Sequence, residues 1–237
     1  MICFVMKSTR YYPIFTDLKD KKVVVIGGGR VAERKVHRLL EAGANVVLVS
    51  PEITPELQRL ANNKRLIYKP KPFAEGDVDK AWLVIAATDD IQVQEQVYKA
   101  CLERQIFCNV VDKPQYCGFI VPSEIRRGDL NIAISTGGKS PALAKTLRIK
   151  FEAEIGTEFG DYLELLGRLR EHIQSELPNT EDRSTILKAL GDLKGIELYA
   201  NKQWSDLETW IVNLCGQSSR QILHDFLKER QKNGKAK

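Results

Sequence analysis

An α/β fold, built on a Rossmann-like parallel sheet and followed by a small strand-containing segment and a C-terminal helical region, is predicted by three features of the sequence. Residues 23–26 form a continuous β-branched run without polar alternation, which is the pattern of a parallel strand covered on both faces. A glycine turn at Gly27, Gly28 and Gly29 follows directly, and then an amphipathic helix carrying Ala32, Val36, Leu39 and Leu40 that stops near Gly43. Apolar runs recur at 45–50, 82–88 and 106–111 between stretches of helical period, and this rhythm ceases near residue 118. The implied division is a Rossmann-like domain at 1–117, a strand-containing segment at 118–150 and a helical domain at 151–237.

The first strand and its turn carry the clearest chemistry. Gly27, Gly29 and Ala32 fit the G-x-G-x-x-G/A dinucleotide fingerprint. Gly27 permits the tight turn, Gly29 has no Cβ to obstruct a pyrophosphate, and Ala32 is small enough for close helix–strand packing. The phosphates would then rest on unpaired N–H groups at the helix N-terminus. Ahead of this unit, residues 11–18 read as an extended lead-in whose aromatics pack on the sheet edge. After it, the strand at 45–50 ends in Ser50-Pro51-Glu52, where a generic NAD site has an acidic residue at the strand end, so Glu52 or the backbone at Pro51 is left to hold the ribose. No arginine follows to favour a 2′-phosphate.

Residues 55–62 are read as a short helix and 65–69 as a third strand, ended by Pro70 and Pro72. The strand at 82–88 leads into Asp89-Asp90, a carboxylate pair that fits a helix start better than acid–base work. The strand at 106–111 ends at Asp112. Four strand ends, at 27–29, 50–52, 88–89 and 109–112, should therefore share the crevice beyond the carboxyl edge of the sheet.

Residues 119–122 and 130–135 then read as strands joined through Arg126-Arg127-Gly128-Asp129. The stretch Ser135-Thr136-Gly137-Gly138-Lys139-Ser140-Pro141 leads into a helix, with Ser140 as N-cap and Pro141 at the first helical position. It is not a Walker A loop, because Ala133 stands where the first glycine of that motif belongs. Two readings stand: an anion cradle of hydroxyls, backbone N–H groups and a lysine, or a capped strand–helix turn. Helices are expected at 142–176, 181–193, 205–215 and 218–231, with breaks at 178–179 and Gly195, capping boxes at Ser205/Glu208 and Ser218/Gln221, and a frayed basic tail at 231–237. Trp204, Trp210, Ile211, Leu214, Ile222, Leu223 and Phe226 should fill a small helical core.

The chain of 237 residues is long enough to bury a substantial core. Its net charge of +5 suits an acidic ligand, but the charge is dispersed, which argues against a nucleic-acid partner. Five irregularly spaced cysteines (Cys3, Cys101, Cys108, Cys117, Cys215) suggest free thiols in a reducing compartment, and neither they nor His37, His172 and His224 have metal-ligand spacing, so no protein metal site is expected. No run approaches a membrane span and residues 1–6 are too short for a signal sequence, which together with the thiols predicts a cytoplasmic protein.

Residues 12–15 (YPIF), 25–35 (VIGGGRVAERK), 40–44 (LEAGA), 85–90 (IAATDD), 107–112 (FCNVVD) and 135–142 (STGGKSPA) together resemble the precorrin-2 dehydrogenases of siroheme biosynthesis, including the N-terminal part of siroheme synthases. The likeness covers roughly residues 11–150; beyond that it is loose. It implies NAD-dependent oxidation of precorrin-2 to sirohydrochlorin, in some members followed by ferrous iron insertion, in a homodimer formed through residues 118–150. The resemblance places catalysis on Asp112, which otherwise reads equally as a turn-starting residue. It places cofactor contacts on Gly27, Gly28, Gly29, Arg30, Val31, Ser50, Pro51, Glu52, Ala87, Thr88 and Asp89. Asn109, Ser135, Thr136, Gly137, Lys139 and Ser140 are expected to hold the substrate, with iron a substrate as well. Two alternatives are a non-catalytic NAD-sensing module and a chelatase without redox activity.

Overall fold

The computed structural model describes residues 11–177 and 179–234. It divides into two compact units, Met1–Val121 and Pro122–Lys237. The three-way division expected from sequence is met here by two units, since the strands after residue 122 pack with the helices that follow them.

The first unit holds a parallel sheet of β1 (Lys22–Ile26), β2 (Asn45–Val49), β3 (Ile67–Lys69), β4 (Leu83–Ala86) and β5 (Phe107–Val110), in the order β3-β2-β1-β4-β5. Helices α1 (Arg30–Glu41), α2 (Pro55–Asn62) and α3 (Ile91–Glu103) connect the strands. Alternate residues of each strand enter different cores. Val23, Val25, Val46, Leu48, Leu83 and Ile85 pack with Ala32, Val36 and Leu39 of α1, while Val24, Ile26, Val47, Val49, Val84 and Ala86 pack with Val97, Ala100 and Cys101 of α3. Burial on both faces explains the unbroken β-branched runs.

The helix ends follow their local chemistry. Thr54 caps α2 ahead of Pro55, accepting from Leu57 N at 3.3 Å, and Asp90 caps α3, accepting from Gln92 N at 2.9 Å and Val93 N at 3.2 Å. The lead-in departs from expectation: Leu18 is buried, but Tyr12 and Phe15 are 87% and 77% exposed and do not pack on the sheet edge. With Ile14 also exposed, this stretch has only Leu18 inserted under the sheet. Trp82, expected in a buried strand, precedes β4 and is half exposed, with the Lys21 ammonium 5.4 Å from its ring centroid.

The second unit opens with an antiparallel hairpin, β6 (Ser123–Arg127) and β7 (Leu130–Ile134). The strand expected at 119–122 is displaced to Ser123–Arg127, and its partner follows after a two-residue turn in which Gly128 takes φ +57°. That glycine-first geometry matches strand twist, and it draws Arg126 and Arg127, read as turn residues, into pairing. Helices α4 (Pro141–Glu154), α5 (Glu158–Glu176), α6 (Thr180–Leu190), α7 (Leu193–Ala200), α8 (Trp204–Cys215) and α9 (Ser219–Gly234) complete the unit.

The helix expected at 142–176 is interrupted at Ile155–Thr157, where Arg127 donates to the carbonyls of Ile155 (2.8 Å) and Glu152 (3.2 Å) at the end of α4. Gly195 is not a break but lies within α7: a Cβ there would meet the Tyr162 hydroxyl at 1.9 Å and the Trp210 ring at 2.7 Å. The break is one turn earlier, with Gly191 as C-cap and Asp192 as N-cap. The Ser205 capping box is absent, because α8 begins at Trp204 and Ser205 is already helical. Ser218 precedes α9, but its hydroxyl lies 2.8 Å from His172 Nε2. The tail expected to fray is helical as far as Gly234.

Ile211, Leu223 and Phe226 are buried as expected, with Trp210, Leu214 and Ile222 at the margin; Trp204 stays partly exposed against Tyr199. Phe226 is fully buried, and the guanidinium carbons of Arg168 and Arg230 each lie 5.2 Å from its ring centroid. Phe226→Ala is expected to lower the unfolding free energy by about 3–5 kcal/mol, and Phe226→Leu by much less, measured by urea denaturation.

Candidate functional site

The carboxyl edge of the parallel sheet is tied together by its own backbone. Gly27 N donates to Val49 O (3.0 Å), Ala87 N to Ile26 O (2.7 Å), Val111 N to Ala86 O (2.9 Å) and Thr54 N to Gly28 O (3.0 Å). These bonds hold the loops after β1, β2 and β4 around a cleft of about 410 Å³ lined by Gly27, Gly28, Gly29, Ser50, Glu52, Ile53, Thr54, Ala87, Thr88 and Asp89.

The three glycines divide the work differently from the fingerprint's usual allocation. Gly27 has φ +106°, and a Cβ there would lie 2.2 Å from Ala87 O. A Cβ on Gly28 would lie 1.9 Å from Glu52 O, so this glycine seats the β1 loop against the β2 loop. A Cβ on Gly29 would meet nothing within 4 Å, since it would project into open space at the N-cap of α1. A dinucleotide pyrophosphate fits that opening, where N–H groups of the first helical turn are unpaired and the helix dipole is positive.

Of the expected cofactor contacts, the glycines, Ser50, Glu52, Ala87, Thr88 and Asp89 line the cleft. Arg30 and Val31 form the exposed start of α1, and Pro51 presents its carbonyl to Tyr68 Oη at 3.1 Å. Ser50 is buried, its hydroxyl donating to Glu52 O at 2.7 Å.

The structure adds residues that the fingerprint does not name. Thr54 Oγ1 donates to Glu33 Oε2 of α1 at 2.5 Å while capping α2; a threonine before Glu-containing Pro55-Glu56 is a legible cap, but its bond to α1 is long-range. Gln94 is buried and donates from Nε2 to Thr88 O at 2.7 Å, fixing the β4 loop. Its Oε1 has no hydrogen-bond partner among the described residues.

Asp112 stands exposed two residues beyond β5, with φ +60°, a left-handed conformation that aspartate and asparagine tolerate better than most residues. Asn109 is buried on the same strand, and its amide donates to Phe119 O at 2.9 Å, so it folds the following loop back over β5. Ser135–Ser140 belongs to the second unit. There Ser140 caps α4, accepting from Leu143 N at 3.2 Å, while Thr136 Oγ1 accepts from Ser140 N and Ser135 Oγ from Gly137 N, both at 3.1 Å. The capped turn is thus present. The three hydroxyl protons have no acceptor among the described residues, and Lys139 is exposed.

Among the described residues no group of three or more His, Cys, Asp or Glu side chains is placed to hold a metal ion, and no helix is long and apolar enough to cross a membrane. Cys101, Cys108, Cys117 and Cys215 are free; Cys3 lies outside the described residues.

The sheet order, the glycine turn and the cleft at the strand ends define a Rossmann-type NAD(P)-binding protein. The comparisons agree: residues 14–123 match the family model described as putative NAD(P)-binding, and residues 127–154 match that described as sirohaem biosynthesis protein central. The chain is 42% identical over 189 residues to the siroheme synthase of Thioalkalivibrio sulfidiphilus, covering 80% of this chain and 39% of that protein. It is 43% identical over 180 residues to siroheme synthase 3 of Aeromonas hydrophila subsp. hydrophila, covering 76% and 38%. The solved structure of SirC, a precorrin-2 dehydrogenase, shares the fold with a TM-score of 0.69 at 24% identity, over 92% of this chain and all of that one. Together the two family models match most of residues 14–154, and over about four-fifths of its length the chain is similar to the siroheme synthases. It spans about two-fifths of the length of these siroheme synthases.

Substitutions at Gly28 and Gly29 should separate fold from binding. Gly28→Ala is expected to lower stability by about 1–3 kcal/mol, because its Cβ must displace backbone. Gly29→Val should leave the melting temperature near wild type and abolish dinucleotide binding by calorimetry; retained affinity would show that the turn serves the backbone alone.

Proposed function

We propose that the protein oxidises precorrin-2 to sirohydrochlorin, with NAD as the acceptor. The observation carrying this reading is that the dinucleotide cleft and the exposed Asp112 carboxylate occur at the same edge of one sheet, in a chain similar to siroheme synthases. Removing two hydrogens from the reduced tetrapyrrole sends one away as hydride and the other as a proton. The nicotinamide supplies the hydride acceptor when bound. Asp112 is the base that receives the proton, directly or through water.

NAD is favoured over NADP by charge. The cleft residues include Glu52 and Asp89 but neither lysine nor arginine, so a 2′-phosphate would find carboxylates and no cation among them. The substrate's acidic rim is assigned to Ser135, Thr136, Gly137, Lys139 and Ser140, whose hydroxyl protons, ammonium and helix N-terminus offer donors. Homodimerisation through residues 118–150 is supported by a hairpin with two strands only and by exposed Leu143 and Ile149 on α4.

Anaerobic incubation with NAD and precorrin-2 should generate NADH, followed by its near-ultraviolet absorbance, and NADP should be at least about tenfold less effective. Absence of turnover would leave a sensing module or a chelatase, and ferrous iron added to sirohydrochlorin tests the latter with iron as substrate. Asp112→Asn keeps a side chain suited to positive φ but removes the carboxylate; it should retain NAD affinity and lose most of kcat. Lys139→Ala should raise the KM for precorrin-2 by roughly tenfold with NAD affinity unchanged. Sedimentation at micromolar concentration should give about twice the chain mass.

A further inference from the structure

Lys35 lies on α1, on the side of the sheet where the loop after β5 folds back over the strand. The side chain is half-buried, and among the described residues its ammonium has no hydrogen-bond acceptor and no carboxylate within ion-pair distance. Burial lowers its pKa, and the charges of Arg34 and Arg38 lower it further; Asp112 and Cys117 are close enough to act in the opposite direction. Cys117 is engaged elsewhere, its thiol within 3.2 Å of Val110 O and 3.3 Å of Lys113 O. Asp112 is exposed.

An ammonium partly withdrawn from water and left unpaired is unfavourable in the isolated protein, where an apolar side chain of similar length would cost less. It becomes favourable when an anion arrives. The dinucleotide is not that anion, because Lys35 is absent from the residues lining the nucleotide cleft and the pyrophosphate has the α1 N-terminus.

We infer that Lys35 binds a side-chain carboxylate of the tetrapyrrole beside Asp112, a contact that rests on the precorrin-2 reading above. The attraction between Lys35 and this carboxylate would hold the macrocycle against the Asp112 base within the first unit.

The test compares Lys35→Met and Lys35→Arg with wild type in the full-length chain. Lys35→Met should raise the KM for precorrin-2 by roughly tenfold and weaken sirohydrochlorin binding, titrated by its visible absorbance, to a similar degree. NAD affinity should be unchanged and the melting temperature equal to or above wild type, since an unpaired charge has been removed. Lys35→Arg should restore much of the tetrapyrrole affinity. Wild-type KM and sirohydrochlorin affinity in Lys35→Met would overturn the inference, as would a fall in melting temperature with loss of both ligands, which marks a structural lysine. If wild type binds sirohydrochlorin through Lys35 yet does not oxidise precorrin-2, the oxidation reading fails and the carboxylate contact stands.

Discussion

The contact on which the nucleotide site depends is the close approach of two backbones at the end of β1. Gly27 faces the Ala87 carbonyl and Gly28 the Glu52 carbonyl at separations that no Cβ would permit. Because β1 is flanked by β2 and β4, those neighbours are the two loops that must converge for a cleft to exist. Pulling them inward leaves Gly29 as the one member of the triplet facing open space. The anion site is therefore what remains when a fully covered parallel sheet closes its strand ends on each other, with the helix N-terminus aimed into the gap.

Much of this first unit was legible in the sequence because its signals are local. Unbroken β-branched runs mark strands buried on both faces, and the caps at Asp90 here and at Ser140 in the second unit are set by neighbours two or three residues away. The cleft residues followed from the rule that ligands gather at the carboxyl edge. What was not legible depends on partners distant in sequence. Gly28's contact with Glu52, Gln94's bond to Thr88 and Thr54's bond to Glu33 join separate loops and have no periodicity to announce them.

The second unit shows the same limit more sharply. Gly195 reads as a helix breaker because glycine is a poor helix former, yet its absent side chain makes room for Tyr162 and Trp210 within α7. Gly160 works in the same way, since a Cβ there would come within 2.7 Å of the Arg127 backbone where α5 meets the hairpin. For Gly195 composition suggests a break where packing demands a helix. The cost of glycine, about 1 kcal/mol, is small beside the clash or the lost aromatic contact. Burial in this core also pushes the Cys215 thiol up to about 11 and the Tyr199 hydroxyl up to about 12, so neither ionises near neutral pH.

Charge placement ties the two ligands of the proposed reaction together. In the proposed complex the phosphates would be met by backbone N–H groups and a helix dipole, since the cleft lining holds no lysine or arginine. That arrangement leaves the cationic side chains available to a second, more highly charged ligand. A tetrapyrrole with many carboxylates is such a ligand, and flexible ammonium groups suit its spread charges better than a fixed nest built for two phosphates. Under the proposed reaction, backbone recognition of the dinucleotide and side-chain recognition of the tetrapyrrole would also separate what mutation can alter: glycine substitutions would act on the first, lysine substitutions on the second. Asp112 belongs to neither set. Held at positive φ just beyond β5, it presents a carboxylate whose direction is set by the backbone turn, so its position is fixed by the same strand-end geometry that forms the cleft.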